Sequence, residues 1–371
     1  MDEFSLSSGL DLSLFIKKEN YKKIFVLCGK KSYSTSGAKS ILTPILKKKN
    51  TKYYFKKSYY PEISELKNII YMLRKFSPDL IIAVGGGSVI DYAKIANVLE
   101  NTNNLHFQIK NSNYKIKKKV TKLLAIPTTA GSGAEVTENA VIYINRVKYS
   151  VEGKNLKPDY FFLIPELVIG APKKIKASAG FDAISQSVES LISKKSTKES
   201  VFFAKKSLKI SLKYFLKFVK NPNNINTSAM CFASHLSGKA INISKTTAPH
   251  AVSYPFTSIF NISHGHAVSL TLNQFLKFNY ENIKHANCNF DLKKRYNTLF
   301  TLTNSKNIQY LDNYFLQIKK ESGLEGNFKK LGINIKENYY KIISGVNTLR
   351  LSNNPIELTK KDIQTILFKQ K

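Results

Sequence analysis

The chain has 371 residues, 43% of them hydrophobic, which is enough for two globular domains, and no apolar run reaches the ~18 residues of a membrane-spanning helix. Its net charge of +33 invites a polyanion partner, but only four of the 58 basic residues are arginine and the lysines are spread along the chain, so we expect no specific nucleic-acid role. Three widely separated cysteines, and an N-terminus (Met1-Asp2-Glu3-Phe4) without a basic and apolar leader, favour a cytoplasmic protein that lacks disulfide bonds and a signal peptide.

The N-terminal half alternates short apolar segments with segments of helical periodicity. Residues 23–29 predict a first strand, residues 53–55 predict a weaker one, and residues 63–76 have the spacing of an amphipathic helix. Such alternation is typical of a mostly parallel sheet with helices on both faces.

A run of three glycines follows the next predicted strand, residues 80–84. The run is Gly85-Gly86-Gly87-Ser88, and it leads into a helical segment that we expect to carry Asp91 in its first turn. A strand, a glycine turn and a helix start favour a bound phosphate, because backbone N–H groups and the helix dipole both face the anion. The spacing matches neither the dinucleotide motif nor the P-loop, so a plain tight turn is the alternative.

Hydroxyl groups and glycines also follow the predicted strand at residues 122–126. The segment after it contains Thr128, Thr129 and Ser132. Ligands of open α/β sheets bind at the carboxyl ends of strands, so these hydroxyl groups are candidates for the same ligand as the glycine turn. A hydroxyl-rich turn without a ligand is the alternative.

From about residue 174 onward, strand signals give way to helical periodicity. The predicted helices are residues 188–192, 201–218, 230–244, 267–278, 308–322 and 360–368. Thr359, with Asp362 three residues later, predicts the N-cap of the last helix. Residues 167–174 include Gly170-Ala171-Pro172 and predict a linker. We therefore predict an α/β domain at residues 1–168 and a helical domain at residues 174–371.

Three of the six histidines, His250, His264 and His266, lie in one short stretch. Upstream, Asp182 and Gln186 are four residues apart and so share one face of a helix. Carboxylate, imidazole and amide donors together suit a divalent transition metal. A buried core histidine with solvated neighbours is the alternative.

Four motifs occur in order along the chain: GGGSVIDYAK, IPTTAGSGAEVT, GFDAISQSVES and SHGHAV. In this order and spacing they resemble the iron-containing alcohol dehydrogenase family, with a likeness that extends over roughly residues 10–368. The segments at residues 245–251 and 264–267, together with Gln186 in the second ligand position, are most similar to the phosphonoacetaldehyde reductase branch. The resemblance implies an N-terminal Rossmann-like parallel-sheet domain followed by an all-helical metal- and substrate-binding domain, an architecture shared with the dehydroquinate synthases.

The resemblance also implies roles for individual residues. A nicotinamide cofactor, NADPH or NADH, would place its pyrophosphate on the glycine turn, and its nicotinamide and ribose beside the hydroxyl groups. The implied cofactor-binding residues are Gly29, Ser32, Gly85, Gly86, Gly87, Ser88, Asp91, Thr128, Thr129 and Ser132. The implied ligands of a divalent metal, Fe²⁺ or else Zn²⁺, are Asp182, Gln186, His250 and His264. His266 would be a catalytic proton relay, with a structural histidine as the alternative.

Gln186 departs from the family pattern, which has histidine at this position. An amide oxygen is a weak, neutral donor, so we expect loose metal binding or a water molecule in place of Gln186. Lys245 is the candidate for holding a phosphonate at the catalytic site, since lysine binds phosphate groups as a point charge. In so lysine-rich a chain, a surface role is the alternative, and the choice of phosphonoacetaldehyde as substrate rests on the resemblance.

The resemblance places the residues that select the cofactor in the turn after the first strand. Many NAD-dependent enzymes use an acid to bind the ribose 2′-hydroxyl, and that acid repels the 2′-phosphate of NADP. Here the turn is Cys28-Gly29-Lys30-Lys31-Ser32, without an acid. We therefore predict NADPH over NADH, with reduction as the working direction.

Three functions remain open from the sequence. The first is metal-dependent, nicotinamide-linked reduction of a small aldehyde, with phosphonoacetaldehyde converted to 2-hydroxyethylphosphonate as the best candidate. The second is a lyase like the dehydroquinate synthases, and the third is a noncatalytic nucleotide-binding protein that lost its metal through Gln186. The SHGHAV and NNPIELT segments favour the first. We expect no membrane partner, and the resemblance suggests a homodimer.

Overall fold

The structure is a computed structural model that describes residues 6–369. The prediction that the N-terminus, Met1-Asp2-Glu3-Phe4, carries no signal peptide concerns residues outside this range. The chain forms two units: the first comprises the described residues up to Pro172 together with Pro222–Gly238, and the second comprises Lys173–Asn221 and the described residues from Lys239. None of the helices within residues 6–369 is long and apolar enough to cross a membrane.

A parallel sheet forms the centre of the first unit. The strands are β1 (Lys23–Gly29), β2 (Asn50–Lys56), β3 (Leu80–Gly85), β4 (Lys122–Pro127), β5 (Asn139–Ile144), β6 (Val147–Glu152) and β7 (Tyr160–Phe161). The sheet has the order β2-β1-β3-β4-β7 with parallel pairing throughout, while β5 and β6 form a separate antiparallel hairpin. Strands β1, β3 and β4 are buried along nearly their whole length, which explains their continuous apolar runs. The predicted parallel sheet is confirmed.

Helices cover both faces of this sheet. They are α1 (Gly9–Lys18), α2 (Lys30–Thr35), α3 (Ala38–Leu46), α4 (Ile63–Phe76), α5 (Gly87–Val98), α6 (Leu105–Lys110) and α7 (Glu166–Ile169), with a 3-10 turn at Lys154–Leu156. Alternate side chains of β3 enter two different cores, since Ile81 belongs to one and Ile82 to the other. The helix expected at residues 63–76 is confirmed as α4.

Helix α5 is fixed to the β5–β6 hairpin by a fully buried lysine. The side chain of Lys94 is 0% exposed, and its Nζ donates to Ala134 O (2.9 Å), Thr137 Oγ1 (2.8 Å) and Asn139 O (2.6 Å). These three acceptors replace the hydrogen bonds to water that the amine loses on burial, as a buried cation requires. The glycine turn at the start of α5 is therefore carried by a helix that is anchored in the core.

The segment Pro222–Gly238 packs with the first unit although it follows two long helices of the second. Within it, His235 is buried, its Nδ1 lies 3.3 Å from Glu135 Oε1, and its ring packs on Phe161 with centroids 4.8 Å apart. Helical periodicity does not show which core a helix packs against. The sequence therefore does not predict that Pro222–Gly238 belongs to the first unit. The domain division expected near residues 168–174 stays a prediction.

The second unit is helical. Its elements are α8 (Lys173–Ile192), α9 (Lys198–Lys220), the end of α10 (Asn224–Ser244), α11 (Ala248–Phe260), α12 (His264–Glu281), α13 (Leu292–Thr303), α14 (Ile308–Ser322), α15 (Ile335–Ser344), α16 (Thr348–Leu351) and α17 (Lys360–Phe368), with a 3-10 turn at Ile283–His285. The expectation of an all-helical second half is confirmed. Thr359 and Asp362 form the predicted capping box at the start of α17.

Two helices of this unit extend beyond their sequence signals. Helix α8 is buried on nearly every side and contains serine and glycine where other helices pack closely against it. For this reason only residues 188–192 show apolar periodicity in the sequence. Buried hydroxyl pairs such as Ser187–Ser207 (2.8 Å) and Ser190–Ser244 (2.8 Å) replace apolar contacts there. Helix α11 contains Pro255 in its interior, which weakens any prediction of a helix from the sequence.

Candidate active site

The turn between β3 and α5 has the geometry of an anion site. Gly86 is the N-cap of the 12-residue helix α5, and as a glycine it has no side chain with which to cap the first N–H groups. Those groups point out of the helix start, where the helix dipole also favours negative charge. The predicted strand–turn–helix arrangement is present.

Close packing explains why this turn is made of glycines. A Cβ on Gly86 would lie 3.4 Å from Thr129 Oγ1, and one on Gly87 would lie 2.7 Å from Ser132 Oγ. The backbone of Thr128 donates to Gly85 O at 3.0 Å, which joins the two loops. The structure thus brings the glycine turn and the hydroxyl groups after β4 together. Their role in cofactor binding stays a prediction.

The position of Asp91 corrects one expectation. Helix α5 begins at Gly87, so Asp91 lies in its second turn and the first turn carries no acidic residue among those described. Its carboxylate accepts a hydrogen bond from the backbone of Val141, and burial raises its pKa to about 6 against the opposing charges of Lys94 and Lys148. Asp91 therefore faces the β5–β6 hairpin, and a cofactor role for it stays a prediction.

The turn after β1 lies at the same edge of the sheet as the glycine turn. Cys28 pairs with Val84 in the parallel register, so Gly29 and Gly85 end neighbouring strands. Ser32 Oγ donates to Gly29 O at 3.3 Å, and a Cβ on Gly29 would come within 2.6 Å of that hydroxyl. The two turns that we expect to contact a dinucleotide are therefore adjacent.

In the second unit, Asp182 of α8, His250 of α11 and His264 of α12 form a cluster. One donor atom from each residue lies within 4.8 Å of the other two. Asp182 Oδ1 is 3.2 Å from His250 Nε2 and 4.0 Å from His264 Nε2. Asp182 and His250 are buried, whereas the side chain of His264 is 32% exposed. One carboxylate and two imidazoles at this spacing fit a divalent transition metal.

Gly265 makes this cluster possible by letting α12 approach α8. A Cβ at position 265 would lie 1.9 Å from Ser178 O and 2.8 Å from Asp182 Cβ. On either side of this contact, His264 reaches Asp182, and the backbone N–H of His266 donates to Ser178 Oγ at 3.1 Å. The glycine between the two histidines is thus a requirement of helix packing.

Gln186 lies beside the cluster, one turn after Asp182 on α8. It is buried, and its Nε2 donates to Asp182 Oδ2 at 3.1 Å. This hydrogen bond fixes the second carboxylate oxygen. Gln186 as a weak fourth ligand stays a prediction.

Sequence reasoning missed Glu189, which is fully buried behind His250. Its Oε1 accepts a short hydrogen bond from His250 Nδ1. Burial alone disfavours the charged imidazole, but Glu189 and Asp182 outweigh it and raise the pKa of His250 to about 9. The signal was available, since Asp182, Gln186 and Glu189 follow the i, i+4, i+7 spacing of one helix face.

His266 and Lys245, the two predicted catalytic residues, lie outside the three-residue cluster. The Nε2–H of His266 donates to Glu325 O at 2.8 Å, and burial together with the charges of Lys319 and Lys174 lowers its pKa. Lys245 is half-buried and has a φ of 60°, a conformation that costs energy in a residue other than glycine. This residue directly follows the end of α10, where a left-handed conformation terminates the helix, and a role of Lys245 in substrate binding stays a prediction.

The buried lysine beside His266 yields a pH-dependent prediction. Burial lowers the pKa of Lys319 from 10.5 to about 8, opposed by Asp312. Between these pH values the unfolded chain binds more protons than the folded chain, so the folded state gains stability as pH rises. Relative to Lys319→Met, we expect the wild-type free energy of unfolding to rise by up to ~3 kcal/mol over this range. Urea unfolding at several pH values tests this, with the exposed neighbour Lys320→Met as the control. A parallel pH trend in wild type and Lys319→Met would contradict it.

Comparison with known sequences matches both halves of the chain. The family model described as iron-containing alcohol dehydrogenase matches residues 8–165, and the model of the C-terminal part of the Fe-containing alcohol dehydrogenase family matches residues 176–370. The phosphonoacetaldehyde reductase of Streptomyces viridochromogenes is 31% identical over 223 residues, which cover 56% of this chain. The chain spans about half of that relative, 55% of its length.

Solved structures share the whole fold. An archaeal alcohol dehydrogenase from a Red Sea brine pool superposes with a TM-score of 0.88 at 20% identity, covering 98% of this chain and 95% of that one. The sulfoacetaldehyde reductase of Bifidobacterium kashiwanohense, solved in complex with NAD⁺, has a TM-score of 0.84 at 24% identity and covers 100% of this chain and 98% of that one. At these identities the likeness shows the fold alone.

Proposed function

The chain belongs to the iron-containing alcohol dehydrogenase family, and from that membership we propose that it reduces an aldehyde to a primary alcohol with a nicotinamide cofactor and a divalent metal ion. The resemblance drawn from the four motifs is thereby confirmed. The observation that carries the proposal is the Asp182–His250–His264 cluster. The cluster argues against a protein that lost its metal through Gln186, because one carboxylate and two imidazoles remain in place.

The residues in and around the cluster would have separable roles in this reaction. A divalent ion bound there supplies a Lewis acid for the aldehyde carbonyl. Asp182 contributes the buried negative charge, and the ring of Tyr254 packs against His264 with centroids 5.6 Å apart. The Nε2–H of His266 is held by Glu325 O, so its Nδ1 is left as the acceptor for a proton.

One absorbance assay, repeated with other aldehydes and with a sugar phosphate, separates this proposal from the other two functions. Purified protein is mixed with NADPH and phosphonoacetaldehyde, with and without Fe²⁺, and absorbance of the reduced nicotinamide is followed. We expect metal-dependent loss of absorbance. Cofactor binding without turnover on any aldehyde would favour a noncatalytic protein, and turnover of a sugar phosphate without net change in NADPH would favour a lyase.

For the substrate, we propose a small aldehyde that carries a phosphonate, with phosphonoacetaldehyde as the best candidate. The likeness to the Streptomyces viridochromogenes reductase supports it. Lys245→Ala should then raise KM for phosphonoacetaldehyde about tenfold to a hundredfold, because one charged contact contributes roughly 1.5–3 kcal/mol. Propanal serves as the uncharged control substrate. An equal change in KM for both aldehydes would remove Lys245 from the substrate site.

For the cofactor, we propose NADPH over NADH. Gly29 ends β1 without an acidic side chain, and Ser32 lies next to it. Gly29→Asp should move the preference toward NADH, because the new carboxylate repels the 2′-phosphate of NADPH and can accept a hydrogen bond from the 2′-hydroxyl of NADH. The added Cβ meets only Ser32, whose hydroxyl can rotate away. Kinetics with both cofactors measure the shift, and Gly29→Ala adds the Cβ without the charge. A wild-type kcat/KM for NADH at or above that for NADPH would refute the proposal.

A further inference from the structure

We propose that Glu189 is a positioning residue, which fixes the tautomer and orientation of His250 so that its Nε2 atom faces the metal site. The inference rests on the metal-dependent function proposed above. Glu189 is 0% exposed and lies on α8, on the same face as Asp182 and Gln186. A carboxylate with no access to water must have strong partners to remain charged.

The two oxygens of Glu189 have different partners on α11. Oε1 accepts the hydrogen bond from His250 Nδ1. Oε2 accepts hydrogen bonds from Thr247 N at 2.7 Å, Thr247 Oγ1 at 2.9 Å and His250 N at 3.4 Å. Thr247 is the N-cap of α11, so this oxygen takes the place of a capping side chain and lies where the helix dipole favours negative charge. One carboxylate therefore holds both the helix start and the ligand three residues later.

The hydrogen bond to Oε1 determines which ring nitrogen of His250 carries the proton. A carboxylate is purely an acceptor, so His250 presents Nδ1–H to it, and Nε2 is the nitrogen that gives up its proton when a metal ion binds. Nε2 is the atom that lies 3.2 Å from Asp182 Oδ1, within the cluster completed by His264. Glu189 thus stabilises the form of His250 that can bind a metal ion.

The orientation of His250 is especially important here because position 186 is a glutamine. A site with an amide in place of an imidazole depends on two histidines, and His264 is partly exposed. His250 is the buried one of the two, and its orientation is set by contacts at both ring nitrogens. Loss of the contact at Nδ1 leaves the ring free to present Nε2–H, which cannot bind a metal ion.

Titration of the metal-free, full-length protein with Co²⁺ tests the role of Glu189. Glu189→Gln keeps the size of the side chain but can turn an NH₂ group toward Nδ1. We expect the variant to bind Co²⁺ about 10–100-fold more weakly, with a changed ligand-field spectrum of the residual complex. Thr247→Val is the matched control, since it removes a hydrogen bond to Oε2 and leaves Oε1 with His250. We expect its Co²⁺ affinity to stay within about threefold of wild type.

The outcomes distinguish this inference from the proposed function. Equal Co²⁺ affinity in wild type and Glu189→Gln, or an equal loss in Thr247→Val, would overturn the role of Glu189 alone. Failure of the wild type to bind Co²⁺ would overturn the proposed function with it. If Glu189→Gln does not fold, ¹⁵N NMR of histidine-labelled, Zn²⁺-loaded wild type decides the question. A proton on Nδ1 of His250 supports the proposal, and a proton on Nε2 contradicts it.

Discussion

Replacing His264 with alanine is expected to abolish aldehyde reduction at every Fe²⁺ concentration. The change leaves one carboxylate and one imidazole in the cluster, with an amide that is already hydrogen-bonded to Asp182. Two donors cannot hold a divalent ion against water, so added metal should not restore the activity. Steady-state rates and metal content after gel filtration measure the effect.

His106→Ala is the control for this prediction, because His106 is exposed and is not part of the Asp182–His250–His264 cluster. Its rate and metal content should match the wild type. Full activity in chelator-treated protein that is free of metal would show that the cluster has no part in the reaction.

Gly265→Ala should damage the same site through packing. The added methyl group would lie 1.9 Å from Ser178 O, so α12 must move away from α8. Overpacking of this kind costs about 1–3 kcal/mol, and the distance between His264 and Asp182 grows with the displacement. We expect a lower midpoint of thermal unfolding and at least tenfold weaker Co²⁺ binding, measured by calorimetry and titration.

Gly326→Ala is the matched control, because a Cβ at position 326 meets no atom within 4 Å. It should leave both the unfolding midpoint and the Co²⁺ affinity of the protein unchanged. Wild-type behaviour of Gly265→Ala would show that α12 and α8 can separate without disturbing the cluster.

The sheet was predictable because its strands are buried on both faces. Continuous apolar runs such as those within Lys23–Gly29 and Leu80–Gly85 are typical of strands in the middle of a parallel sheet. Helices with one apolar face, such as Ile63–Phe76 and Ile308–Ser322, were equally clear. Their hydrophobic periodicity is a local property, and it can be read without knowledge of the neighbours.

The site was less predictable because its supports are contacts between distant segments. Residue spacing and the family resemblance identified Asp182, His250 and His264, which the structure brings together. Glu189 lies within the GFDAISQSVES motif, on the helix face of Asp182 and Gln186, but a buried glutamate cannot be told from a solvated one until the partner helix is known. The close contact at Gly265 is likewise invisible until α12 meets α8.

The buried amine of Lys94 has a consequence for chemical labelling. Reagents that acylate amines need an accessible Nζ that can lose its proton, and most lysines within residues 6–369 are at least partly exposed. Lys94 is not, because its Nζ is enclosed and donates to three oxygens. Modification of this residue requires α5 to detach from the loop and strand beside it, an opening of low population. The acylation rate at Lys94 therefore measures how often α5 detaches. A dinucleotide bound at the glycine turn would lower this rate.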